Sequence, residues 1–265
     1  MRSSPNANDT PAADPRTGAK AFSAEAARAQ IMKIIWDRKS SETAVVGYWQ
    51  YVPLIAVSLA GLTGLLFFVL APNVAGFVFG YLAIYSVCFA ILAMINCKMV
   101  RSMNAHFRRE AELRSMLIEL VRHRSTRSPS PEIKERLSKM ERVHLEASER
   151  ERPKSEMMAA MSALPVAGIA FGYAIMRSIM LANAEHDRNW SEFASQLQAV
   201  ASGSGKELPI YAGRKTRKAN FAAYLALSLL CFPLLAYWYY DMEKGTGLHL
   251  REQWRSEDLL AKDLP

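Results

Sequence analysis

Apolar residues in this chain gather in four charge-free blocks, and the charges fill the gaps between them. Residues 51–71 read YVPLIAVSLAGLTGLLFFVLA and residues 74–97 read VAGFVFGYLAIYSVCFAILAMINC. Residues 157–176 form a third block and residues 219–240 a fourth. A soluble domain interleaves apolar and polar positions at helical or strand period instead. Each of the first two blocks meets the roughly 20 residues needed to cross a hydrocarbon core of about 30 Å. The pattern predicts an all-α membrane protein with four apolar helical segments, a cytoplasmic helical hairpin and amphipathic interfacial helices.

The segments between the blocks have helical signatures of their own. Residues 1–20 are rich in Ser, Pro, Asn, Asp and Ala, have no apolar core, and are expected to be a disordered tail rather than a secretory signal. Residues 21–49 hold an amphipathic cytoplasmic helix with Ser23 as N-cap and Glu25 in its first turn. Ile31, Met32, Ile35 and Trp36 share one face, suited to a membrane surface or to neighbouring helices. Residues 50–97 form a transmembrane hairpin turning at Pro72-Asn73. Residues 98–156 form a cytoplasmic helical hairpin. Its first arm carries Met103, Phe107, Leu113, Leu117 and Leu120, and it breaks between Ser125 and Pro131. Ser130 caps the second arm, with Pro131 at the first helical position. Residues 157–182 are the third membrane segment. Residues 183–218 are an amphipathic helix, with Trp190, Phe193, Leu197 and Val200 on one face, and a linker. Residues 219–240 are the fourth segment and 241–265 the C-terminal tail.

Orientation follows the Lys/Arg asymmetry of short loops. Seven Lys/Arg precede the first block, none sit in Pro72-Asn73, and fifteen lie between Lys98 and Lys154. The N-terminus and the long loop are therefore expected in the cytoplasm. The basic run Arg214–Lys218, directly before the fourth block, strains a simple alternation. Two topologies follow: four full crossings, or fewer with a re-entrant third segment. The first is the primary expectation, with both termini cytoplasmic. Re-entrant backbone requires cover by protein or a wet cavity.

The chain also echoes itself. Residues 72–81 and 165–173 align with seven coincidences once one residue is skipped. Each copy contains a small-xxx-small pair, Gly76 with Gly80 and Gly168 with Gly172, which predicts close helix packing. The alignment places Pro165, inside the third block, opposite the Pro72 turn. A second echo follows three of the blocks: His106-Phe-Arg108, His186-Asp-Arg188 and His249-Leu-Arg251. Basic residues beside spans suit anionic headgroups, and these six side chains are expected to contact them.

Composition adds charge to this picture. The formal net charge is +8, explained by loops facing anionic lipid. Basic residues alternate with Glu and lack an aromatic platform, so no nucleic-acid partner is expected. The three cysteines, Cys88, Cys97 and Cys231, fall on apolar blocks and form no CxxC. No HExxH, GxSxG, P-loop or dinucleotide fingerprint is present, so no catalytic residue, cofactor or metal is expected. All five histidines are expected to be solvated. The blocks carry no mid-depth charge, which weighs against a charge-relay transporter. The function expected is therefore a non-enzymatic scaffold or accessory subunit binding headgroups, a second copy or a membrane-protein partner. The alternative is a small transporter or channel built on the repeat. Histidines and carboxylates clustered at one membrane face would point instead to an enzyme.

Overall fold

A computed structural model of the chain describes residues 23–41, 51–70, 74–127, 129–164, 167–203 and 232–263. Every regular element among them is helical: α1 (Ala24–Ser41), α2 (Tyr51–Leu70), α3 (Val74–Arg127), α4 (Pro131–Arg150), α5 (Glu156–Ala160) with a 3-10 turn at Met161–Ala163, α6 (Ala167–Ser202) and α7 (Phe232–Asp263). The tail 1–20, the turn Pro72-Asn73, Pro165, the basic run Arg214–Lys218, Cys231 and most of the fourth block lie outside the described residues.

Two helices are long and apolar enough to cross a membrane, α2 and the stretch of α3 from Ser86. Between Tyr81 and Arg127 the sequence contains neither Pro nor Gly, so nothing stops the α3 helix where its apolar block ends. It continues for 54 residues, about 80 Å at 1.5 Å per residue. It ends just before Pro129 and Pro131. Ser130, extended at φ −126° and ψ 134°, precedes α4, and Pro131 opens that helix.

The third block is not one continuous helix. From Glu151 onward the chain climbs antiparallel to α3. Lys154 bonds Asn104, Glu156 pairs with Arg101, and Ser162 accepts from Asn96 Nδ2 at 3.0 Å. Leu164 then leaves the helix at φ −70° and ψ 132°, the conformation imposed by a following proline. The chain reverses beside Phe89 and descends as α6, parallel to α3. The reversal is tight. A Cβ on Gly168 would lie 2.4 Å from the Ser162 carbonyl oxygen, so only glycine fits. Gly172 is also buried, against Tyr239 and Asn96, whereas Gly76 and Gly80 are exposed and nothing lies within 4 Å of a Cβ on Gly80.

Helix α7 runs parallel to α3 in a fixed register. Tyr239 meets Asn96, His249 meets His106, and Gln253 bonds Glu110, all at the same separation of 143 residues. Three parallel helices, α3, α6 and α7, thus span both halves of the fold.

Each half has its own apolar core. One gathers Tyr51, Leu54, Phe89, Leu92, Ile175, Met176, Trp238 and Tyr239. The other gathers Ile31, Ile35, Leu113, Leu117, Met140, Trp190, Phe193, Leu197 and Leu260. The amphipathic faces of α1 and α6 are therefore spent on this second core, while Trp36 stays 64% exposed. Ser23 caps α1 through Ala26 N at 3.0 Å. Arg38 fastens α1 to α7 by bonding Trp254 O at 2.9 Å and Asp258 Oδ1 at 2.5 Å.

Candidate metal centre

A layer of buried polar side chains separates the two apolar cores. Each long helix contributes a histidine to it, with a polar or indole side chain one turn further on: His106 and Glu110 on α3, His186 and Trp190 on α6, His249 and Gln253 on α7. Because Gln253 donates to Glu110, α3 and α7 are locked in the register that brings their histidines level. Glu151, where the chain leaves α4, closes the layer from the fourth side.

The three histidines converge. His106 Nε2 lies 3.2 Å from His186 Nε2, and the His249 ring centroid sits 5.8 Å and 5.6 Å from theirs. One ligand atom from each falls within 4.8 Å of the others. Two tetrahedral zinc ligands at about 2.0–2.1 Å stand roughly 3.3 Å apart, close to the His106–His186 separation. His249 is the third member of the set.

Carboxylates fix how the rings point. His186 Nδ1 lies 3.2 Å from Glu151 Oε1, and His249 Nδ1 lies 2.8 Å from Asp187 Oδ1. With Nδ1 turned to a carboxylate, each ring presents Nε2 inward, the arrangement that metal-ligating histidines use. Glu151 is itself held by Arg114, whose Nη2 donates at 2.5 Å, and by Asn189 at 3.2 Å. Phe107 stacks on His186 at 4.9 Å and shields it.

The electrostatics favour neutral ligands and an added cation. Burial pushes the His186 imidazole down from its ordinary value, outweighing the pull of Glu151. Burial alone would raise Glu151, but its bonds and charges from His186 and Arg114 hold it well below the carboxylate range. A metal requires this pairing of neutral imidazole and ionised supporting carboxylate. Among the described residues, the buried charges are Arg38, Arg109 and Arg114 against Glu110, Glu151, Asp187, Glu243 and Glu257.

No protein-family model matches the chain, and neither a curated protein nor a solved structure matches it. The site therefore rests on its own geometry.

A cavity of about 40 Å³ reaches two of the three histidines, more than the roughly 10–15 Å³ that one water needs. His106 and His249 line it together with Lys98, Asn183 and Glu243.

The expectation of solvated histidines is corrected at these positions. His106, His186 and His249 are 4%, 1% and 7% exposed, because each occupies the face of its helix turned toward the other two. The arginines two places on, Arg108, Arg188 and Arg251, are exposed. A step of two residues turns a helix by about 200°, which carries the second residue to the opposite face. The echo His-x-Arg is thus one buried and one outward residue, repeated on three parallel helices. No ligand spacing along the sequence reveals the cluster, since each ligand comes from a separate helix. Glu151 and Asp187 carry no sequence signal beyond being acidic.

Proposed function

We propose that this protein is a multi-pass membrane protein that binds one transition-metal ion, zinc or a close analogue, through His106, His186 and His249. The observation that carries the reading is the convergence of three buried imidazoles, two of which, His186 and His249, turn Nδ1 toward a carboxylate. Imidazole ligands suit Zn, Cu, Fe and Ni, and a four-coordinate site with nitrogen donors favours zinc.

Membrane insertion is supported by the outer faces of α2 and α3. Val52, Ile55, Leu59, Leu62, Leu66 and Val69 on α2, and Phe79, Leu82 and Met94 on α3, are exposed. An apolar belt of that extent is rare on a soluble monomer. Lys98 is the first charge after the second block, and His106 follows eight residues later, about 12 Å along the helix. The centre then lies at the aqueous edge of the headgroups, about 12 Å beyond the end of the apolar block, on the side of the long basic loop, the cytoplasmic side by charge asymmetry. The third segment is re-entrant in this reading. It turns beside Phe89, and Trp190 to Val200 share a core with Leu113 and Met140. Arg108, Arg188 and Arg251 face outward at this depth and meet anionic headgroups.

The test is metal content. Protein purified in detergent without a metal-affinity step, stripped with chelator and reloaded, should bind one zinc per chain. The His106→Ala/His186→Ala/His249→Ala variant should bind none while keeping its helical circular dichroism. Equal zinc binding by both would sink the proposal.

The Gly76–Gly80 face favours a second reading that coexists with the first. Among the described residues nothing lies within 4 Å of a Cβ on Gly80, and a small residue on an apolar helix suits a partner helix, as a scaffold or accessory subunit requires. Chemical crosslinking in membranes, with Gly80→Leu as control, tests it.

A further inference from the structure

We infer that zinc reaches the three histidines through the cavity between α3, α6 and α7, and that Glu243, Asn183 and Thr246 are oxygen-donor waypoints along it. The inference rests on the metal reading above and adds the ion's way in.

Burial poses the problem. His106, His186 and His249 are all buried, and a buried metal site needs an entry path. The cavity supplies one, because His106 and His249 are part of its lining. Lys98, Ser102, Asn183 and Thr246 line it too, and these four are partly exposed. One continuous space therefore touches both the ligands and residues at the surface.

The helical register orders the polar groups along this space. Asn183 on α6 and Thr246 on α7 each stand three residues before a histidine, about 4.5 Å along the axis at 1.5 Å per residue. Asn183 Nδ2 donates to Thr246 Oγ1 at 3.1 Å, which joins the two helices at that level. Glu243 stands six residues before His249, about 9 Å along α7. It is buried, lines the same cavity, and accepts a bond from the Tyr51 hydroxyl, which fixes its carboxylate. That separation takes Glu243 out of the ligand set and suits a group that the ion passes earlier.

The size of the space sets the form in which the ion moves. A volume of about 40 Å³ holds roughly three waters at about 10–15 Å³ each, so the ion travels partly dehydrated. Oxygens of Glu243, Thr246 and Asn183 replace the waters left behind, as protein oxygens do in ion-selective pores. Charge acts along the same route. Glu243 attracts a divalent cation, and Lys98, which also lines the cavity, repels it. The carboxylate therefore speeds loading and the ammonium slows it.

The experiment measures rates on the full-length protein in detergent micelles. Zinc loading of stripped protein, and zinc release to a chromophoric chelator, are followed by stopped flow. Ser102→Phe narrows the cavity without touching a ligand. It should slow loading and release at least tenfold each and leave the zinc Kd within threefold, whereas Ser102→Ala should match the wild type. Glu243→Gln keeps an acceptor for Tyr51 and should slow loading at least threefold, while Lys98→Met should speed it. Circular dichroism checks the fold of each variant, and the opposite signs of the two charge variants decide the matter if Ser102→Phe does not fold. A folded Ser102→Phe protein that loads as fast as the wild type would overturn the route and leave the metal reading intact. So would weaker zinc binding at an unchanged loading rate, because Ser102 would then act on the bound state. Unchanged loading in Glu243→Gln, or slower loading in Lys98→Met, would overturn the waypoint assignment. Absence of zinc binding by the wild type would remove both readings together.

Discussion

His106 and His186 face each other nitrogen to nitrogen at 3.2 Å although 80 residues separate them in the chain. Nδ1–H of neutral His186 donates to Glu151, so its Nε2 offers a lone pair toward His106. The pair is complete without metal only if His106 supplies the shared proton. At the proposed site a metal ion would take the place of that proton, with His249 as the third ligand.

The first prediction separates the two halves of the His-x-Arg echo. His106→Ala, His186→Ala and His249→Ala should each weaken zinc binding at least a hundredfold, since each removes one of three ligands. Arg108→Ala, Arg188→Ala and Arg251→Ala point outward and should change it by less than twofold. Competition with a chromophoric chelator measures both sets. Arginine variants that match the histidine variants would show that the echo acts as a unit and is not a metal site.

The second prediction concerns support for the ligands. Asp187→Asn keeps the side-chain shape but removes the negative charge 2.8 Å from His249 Nδ1. Loss of such an outer partner usually costs 10- to 100-fold in metal affinity, and that range is expected here. The thermal midpoint of the stripped protein should move little. A large shift in the stripped protein with unchanged zinc affinity would make Asp187 a structural residue instead.

Glu151→Gln behaves differently. Its carboxylate is the partner of Arg114, whose side chain is 0% exposed. Removing one member of a buried ion pair leaves an uncompensated charge and typically costs about 3–5 kcal/mol. Glu151→Gln should therefore lower the thermal midpoint of stripped protein strongly, and Arg114→Met together with Glu151→Leu should recover much of it. Failure of the double variant to recover would point to the bonds from His186 and Asn189 as the dominant loss.

How much of this was legible in the sequence varies by element. The helices were, because apolar blocks, caps and prolines act locally. Ser23 caps α1, α3 stops ahead of Pro129, and α4 opens on Pro131 as their neighbours dictate. The reversal near Pro165 was legible only as one of two topologies, because a proline inside an apolar block is also tolerated in a spanning helix. Gly168 and Gly172 are closely approached, Gly168 by the chain's own 3-10 turn and Gly172 by Tyr239 and Ser162. Gly80, in the matching stretch of sequence, has nothing within 4 Å of a Cβ, whereas its counterpart Gly172 is buried. The histidine cluster, the proposed metal centre, was written in the sequence as an echo and not as a site. Its ligands become neighbours only through the 143-residue register of α3 with α7, fixed by Glu110 and Gln253, and no local pattern encodes that register.

The Gly168 contact gives a prediction on packing. Alanine there places a methyl 2.4 Å from the Ser162 carbonyl oxygen, a backbone atom that cannot rotate away. Overpacking of this kind costs typically 1–3 kcal/mol. Gly168→Ala should lower the thermal midpoint, Gly172→Ala should lower it less because its nearest neighbour is the Tyr239 hydroxyl at 3.6 Å, and Gly80→Ala should leave the isolated chain unharmed. Equal effects at all three positions would argue that the reversal beside Phe89 is not tightly closed.

The last prediction decides the topology. Four crossings put residues 183–217 on the outside, whereas a re-entrant third segment keeps them with the long loop. Ser195 on α6 and Ser138 on α4 are both exposed, and their helices pack together around Met140, Phe193 and Leu197. With Cys88, Cys97 and Cys231 replaced, single cysteines at Ser195 and Ser138 should both resist an impermeant maleimide in intact cells and both react once the membrane is opened. Labelling of Ser195→Cys alone in intact cells would restore four crossings. It would also separate His186 from His106 by the thickness of the bilayer, and with that the metal centre itself would fall. The topology and the site therefore stand on a single physical commitment, that α6 returns to the side from which the chain entered.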